Sequence, residues 1–175
     1  MRTSFLLSII TLILASCTSD LIPYTQSLAK DAQLNDEQIK KIQFYVSNDI
    51  ILYHYLDNAT VDVVGGEIKI IDGRRAEEVI IESGTPGVAV GREGNQIMIS
   101  FDADGSFLRF APNPGYGGQY TLMAKDWDGR NGIVQYAGSD FYTSEGASVA
   151  TLLINLQQID ESETTSKTVG GRTVE

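Results

Sequence analysis

The sequence predicts an all-β fold: an antiparallel sandwich or small barrel of about eight or nine strands with one short N-terminal helix. Three observations carry that expectation. From residue 44 to residue 156, β-branched and aromatic residues come in short alternating runs that suit a half-buried pleated surface. Glycine-rich and Asn/Asp-rich turns separate the runs at spacings of about ten residues. No long amphipathic helical run alternates with the strands, which argues against a doubly wound α/β fold.

The chain begins with Arg2 and an uncharged apolar stretch over residues 5–15, followed by Ser16 and Cys17, the sole cysteine. The stretch is too short to span a bilayer, because crossing a hydrocarbon core of ~30 Å takes ~20 apolar residues. An export signal fits it better. Leu14-Ala15-Ser16-Cys17 resembles the lipobox of bacterial lipoprotein precursors. That resemblance implies cleavage after residue 16, lipidation of Cys17 and a membrane anchor in the bacterial cell envelope. Thr18 rather than Asp after the cysteine implies a bias toward the outer membrane. With Cys17 modified, no thiol remains for a disulfide, a nucleophile or a cysteine metal site, so stability rests on an ordinary core.

Residues 17–33 read as the lipidated N-terminus and a tether, since Thr18, Ser19 and Asp20 are polar and Pro23 interrupts regular structure. The helix begins next. Asn35 and Gln38 have capping-box spacing, and Leu34 and Ile39 can form a hydrophobic staple. A strand follows over residues 44–56, with Ser47-Asn48-Asp49 as a break. Residues 67–71 and 77–82 flank the Asp72-Gly73 turn, residues 88–92 and 96–101 flank Glu93-Gly94-Asn95, and residues 101–110 form another strand broken at Asp104-Gly105. Pro112-Asn113-Pro114-Gly115-Tyr116-Gly117-Gly118 is the strongest loop signal. Strands through Tyr120 to Ala124 and Ile133 to Tyr136 come next, and residues 149–159 close a body expected over residues 34–159. Residues 160–175 are hydroxyl-rich with few apolar side chains, the composition of a disordered tail. The body resembles the small all-β lipoproteins of bacterial envelopes, a resemblance that transfers no functional residue.

The chain carries 23 acidic and 13 basic residues, a formal net charge of −10, which opposes binding to nucleic acid and to anionic lipid head groups. Catalytic signatures are sparse. His54 stands alone on a strand with no second histidine to complete a metal site, and the G-x-S-x-G elbow is absent. Ser27 and Lys30 have the S-x-x-K spacing of penicillin-recognising enzymes without the companion motifs. No residue is assigned a catalytic role and no cofactor is expected.

Two D-x-D-G segments, Asp102/Asp104 and Asp126/Asp128, offer oxygen ligands beside sharp turns, the ingredients of a calcium loop, although Asp-Gly also serves ordinary hairpins. Glu67, Glu77, Glu78, Glu82, Asp102 and Asp126 are acids from which a glycosidase pair could be drawn. Tyr116, Tyr120 and Trp127 are the candidate ligand-binding aromatics, with Tyr136, Phe141 and Tyr142 nearby in sequence. The expectation is a non-catalytic, lipid-anchored protein that binds or scaffolds an envelope protein or glycan. A carbohydrate-active hydrolase or glycan-binding module and a calcium-stabilised adhesin-like module are the alternatives.

Overall fold

The computed structural model describes residues 20–56, 66–71 and 73–159. The lipobox with Cys17, the Asn58-Ala59-Thr60 sequon, Asp72 of the predicted turn and the tail from residue 160 lie outside the described residues.

In chain order the elements are β1 (Leu21–Pro23), α1 (Gln26–Asp31), α2 (Asp36–Ile39), β2 (Gln43–Val46), β3 (Ile50–Tyr55), β4 (Glu67–Ile71), β5 (Arg74–Ile81), β6 (Pro86–Glu93), β7 (Gln96–Ser100), β8 (Phe107–Asn113), β9 (Gln119–Leu122), β10 (Asp126–Asp128), β11 (Asn131–Tyr136), β12 (Ser139–Thr143) and β13 (Leu152–Asn155). Short 3-10 turns occupy Pro114–Tyr116 and Glu145–Val149. The strands form two antiparallel sheets, one of seven strands in the order β1-β13-β2-β6-β7-β8-β9 and one of six in the order β10-β11-β12-β3-β5-β4. Neither is a closed barrel. There are more strands than expected partly because β1 and β10, at three residues each, are too short to show as alternating runs.

A single hydrophobic cluster draws on both sheets: Phe44, Ile99, Phe110 and Ile154 come from the seven-stranded sheet, and Leu52, Val134 and Phe141 from the six-stranded one. The alternation that marked the strands is the alternation that fills it. Ile97 and Ile99 on β7 are buried, as are Leu152 and Ile154 on β13. The predicted break at Ser47-Asn48-Asp49 is where the chain leaves one sheet for the other. A second crossing, between β5 and β6, lies beside it. Ser83 holds the two together, its N–H donating to Asp49 Oδ1 at 2.7 Å and its hydroxyl to the Ser47 carbonyl oxygen at 2.8 Å.

The capping box of α2 forms as its spacing predicts. The Gln38 N–H donates to Asn35 Oδ1 at 2.9 Å and the Asn35 N–H to Gln38 Oε1 at 3.0 Å, while Leu34 and Ile39 are both buried.

The expected tether is corrected from Leu21 onward. Leu21–Pro23 pairs with β13, and Tyr24 is only 1% exposed, its ring 5.3 Å from Phe44 and 4.8 Å from Tyr120. Pro23 does not interrupt the sheet because β1 is an edge strand, where a missing N–H costs no ladder bond. The Tyr24 N–H donates to the Leu152 carbonyl oxygen at 2.8 Å, and its own carbonyl oxygen accepts from the Tyr120 N–H at 3.0 Å. Further bridges join Thr25 to Gln119 and Thr121 to Thr151. One residue therefore ties the two ends of the seven-stranded sheet toward each other. Thr25 then caps α1, a second helix that the sequence did not announce.

The Pro112–Gly118 loop is shorter than expected, because β8 runs through Asn113 and the Asn113 side chain accepts from the Gly115 N–H to fold the 3-10 turn. Among the described residues no helix is long and apolar enough to cross a membrane.

Candidate functional site

The outward face of the six-stranded sheet gathers the chemistry. On β3, Ile50 and Leu52 point into the core, so Tyr53 and Tyr55 point out. On β12, Phe141 and Thr143 are fully buried and Tyr142 points out, 42% exposed. Register places Tyr142 directly opposite Tyr53, and the two rings stack with centroids 5.7 Å apart and planes inclined by 21°. Tyr55 meets both, at 5.5 Å from Tyr53 and 5.8 Å from Tyr142. The Arg74 guanidinium lies 3.5 Å above the Tyr55 ring centroid, a cation–π contact that fixes the ring. Three tyrosines thus form one continuous aromatic surface.

Carboxylates adjoin it. Ile133 pairs with both Tyr142 and Asp126, so β10 lies two strands from Tyr142 with Asp126 in the same cross-strand row. Asp126 and Asp128 alternate around Trp127 and share the outward face. A cavity of about 300 Å³ lies between them and the aromatic surface, lined by Tyr53, Tyr142, Ile133, Asp126, Asp128 and Asn131. Asp126 also accepts a hydrogen bond from the Trp127 N–H at 2.9 Å, which orients its carboxylate. Among the described residues neither Asp126 nor Asp128 forms an ion pair; Lys125, which precedes Asp126, pairs with Asp140. The site combines stacked aromatic faces with several oxygen acceptors.

The residues predicted from sequence are dispersed. Tyr120 is buried against Tyr24 and presents no face to a ligand. Tyr116 is exposed, but on the 3-10 turn between β8 and β9 in the other sheet. Trp127 is half-buried on the inward side of β10, packed over Gly132, where an added Cβ would stand 2.7 Å from Trp127 Cζ3. These three do not form a common platform. The signal for the aromatic surface that does form was the i, i+2 spacing of Tyr53 and Tyr55, which puts both on one face of a strand.

The two D-x-D-G segments stand at opposite ends of β11. Asp128 is opposite Asn131 at its start, whereas Asp102 and Asp104 lie near Tyr136 at its end. That separation is about 17 Å at 3.4 Å per residue, too far to share one ion. Asp104 is engaged in its own turn, accepting from the Ser106 N–H at 2.7 Å and the Ser106 hydroxyl at 2.8 Å. Burial pushes the Tyr136 phenol above its ordinary pKa, and the neighbouring Asp104 and Asp102 carboxylates add to the effect. Among the described residues no group of three or more His, Cys, Asp or Glu side chains is placed to hold a metal ion.

Among the other acids, Glu67 stands directly opposite Glu78 across β4 and β5. Glu78 pairs with Lys69, and Glu77, fully buried, accepts from the Gly66 N–H at 2.9 Å. His54 is half-buried, its ring 5.4 Å from Phe141 and its Nδ1 2.8 Å from the Asp140 carbonyl oxygen. Ser27 and Lys30 are exposed on α1.

Compared with known proteins, the chain matches no family model, no curated protein and no solved structure.

Proposed function

We propose that this chain is a lipid-anchored, non-catalytic module of the bacterial envelope, a two-sheet sandwich whose six-stranded sheet binds an envelope glycan. The observation that carries the reading is the stacked Tyr53/Tyr142 pair beside a cavity of about 300 Å³ edged by Asp126, Asp128 and Asn131. A saccharide has weakly polar C–H faces that stack on aromatic rings and hydroxyl edges that donate to carboxylates and amides, so both halves of the site have a counterpart in one ligand. The cavity would hold one or two sugar rings.

The placement of the acids favours binding over hydrolysis in this reading. Hydrolysis needs two carboxyl groups flanking the scissile bond. Asp126 and Asp128 stand on one strand and one wall, so they present acceptors from the same side. Location at the membrane rests on the lipobox and Cys17.

The test is a titration of the protein with a soluble N-acetylglucosamine oligomer and sedimentation with insoluble peptidoglycan, for the natural chain and for Tyr142→Ala. Saturable binding that falls at least about tenfold in the variant, equivalent to about 1.4 kcal/mol, supports the reading. No binding to either glycan by the folded natural chain removes it.

A further inference from the structure

We propose that the outer face of the seven-stranded sheet over β1, β13, β2 and β6 rests on the bilayer surface. The inference takes the lipidation of Cys17 from the proposed function and adds an orientation to it. Its first support is length. Only Thr18, Ser19 and Asp20 separate Cys17 from Leu21, where β1 begins. Fully extended, four residue steps reach about 14 Å. A body of this size has a radius of gyration of about 14 Å. The leash therefore keeps Leu21 within about 14 Å of the membrane and brings the surface around it close to the bilayer.

The second support is the composition of that surface. Pairing of Leu153 with both Pro23 and Tyr45, and of Tyr45 with Pro86, makes a cross-strand row of Pro23, Leu153, Tyr45 and Pro86. The intervening residues Ile154 and Phe44 are fully buried, so this row faces outward. The adjacent row holds Leu21, Asn155, Gln43 and Val88. In a chain with 23 acidic residues, none of these positions is charged. Val88 and Val90 are 46% and 43% exposed, and Leu156, just past the end of β13, is 46% exposed. This face begins at the first described strand, and its two central rows carry no acid.

The third support is the rim. Lys40, paired with Glu37, borders a recess of about 230 Å³ with Val90 and the Arg92–Asp36 ion pair, and Lys41 stands two residues before Gln43. Tyr45, with an apolar body and a polar tip, and long lysine stems at the margin of the sheet suit the headgroup layer. The same arrangement turns the Tyr53/Tyr142 face, on the other sheet, away from the membrane.

The experiment uses the full lipoprotein in vesicles of phosphatidylethanolamine and phosphatidylglycerol. Lipidated Cys17 has no thiol, so one introduced cysteine gives one labelling site. Val88→Cys is compared with Ile80→Cys, which is 48% exposed on the outer face of the other sheet; Val90→Cys replicates the first. Mass spectrometry of the N-terminal peptide is run on the same samples. With Cys17 acylated, a polarity-sensitive label at Val88 should shift to the blue and show several-fold weaker iodide quenching than the label at Ile80. Equal quenching at both sites on acylated, vesicle-bound protein overturns the orientation and leaves the anchor standing. An unmodified Cys17 overturns both.

Discussion

The two sheets share a core but finish differently. In the seven-stranded sheet the last strand, β9, donates hydrogen bonds from Tyr120 and Leu122 to the Tyr24 and Ala150 carbonyl oxygens, so its outer edge is largely occupied by the segments around β1 and β13. In the six-stranded sheet β10 and β4 end the hydrogen-bonded order, and β4 is exposed along almost its whole length, with Ile68 at 46% and Ile70 at 68% exposure. Their outer faces differ in the same sense. One carries uncharged rows beside the N-terminus; the other carries stacked tyrosines, carboxylates and an open cavity. The difference teaches that the sheet holding the first described strand is tied end to end, while the other keeps an open edge and an open outer face.

The largest expected effect is therefore at Tyr24. Replacing it with alanine removes a fully buried ring in contact with Phe44 and Tyr120, and should destabilise the protein by about 3–5 kcal/mol in chemical denaturation. Ile70→Lys, on the open edge, should change stability by no more than about 0.5 kcal/mol. Similar losses at both sites would erase the contrast between the sheets.

A smaller effect is expected inside the six-stranded sheet. A methyl group added at Gly132 would meet Trp127 at 2.7 Å and the Ala124 Cβ at 2.8 Å. Gly132→Ala should cost about 1–3 kcal/mol and change the emission of Trp127, the sole tryptophan, as the indole is pushed off its seat.

Alkaline pH sharpens the comparison. Burial raises the phenol pKa of Tyr24 and Tyr120 in one sheet and of Tyr136 in the other. Unfolded tyrosines lose their protons near pH 10 whereas these retain them when folded, so the unfolded state binds fewer protons above that pH. Stability from this source is complete below about pH 10 and falls as pH rises beyond it. Tyr24→Phe should make the alkaline decline shallower, read as denaturation midpoints between pH 9 and pH 12.

Much of the fold was legible in the sequence because half-buried strands alternate. Ile97 and Ile99, and the capping box of Asn35 and Gln38, read directly. What was missed lacked a local signal. β1 is three residues long and contains a proline, and only its pairing with β13, far along the chain, makes it a strand. The β11–β12 hairpin turns on Ala137 and Gly138, with φ of 48° and 82°, rather than on an Asn-Gly pair; alanine in the left-handed region is a cost that the flanking register covers. The site was legible only in part. Asp126 and Asp128 were singled out for their carboxylates, but Tyr142 meets Tyr53 across a pairing of distant strands that no spacing could announce.

The central claim, that one sheet faces the bilayer while the other takes the glycan, is tested most directly by amide hydrogen exchange on the vesicle-bound lipoprotein with and without the N-acetylglucosamine oligomer. Slower exchange confined to β3, β10, β11 and β12 on adding the oligomer, with β2, β6 and β13 already protected by the vesicle, is the predicted result. Oligomer-dependent protection on β2, β6 or β13, or none anywhere, would contradict it.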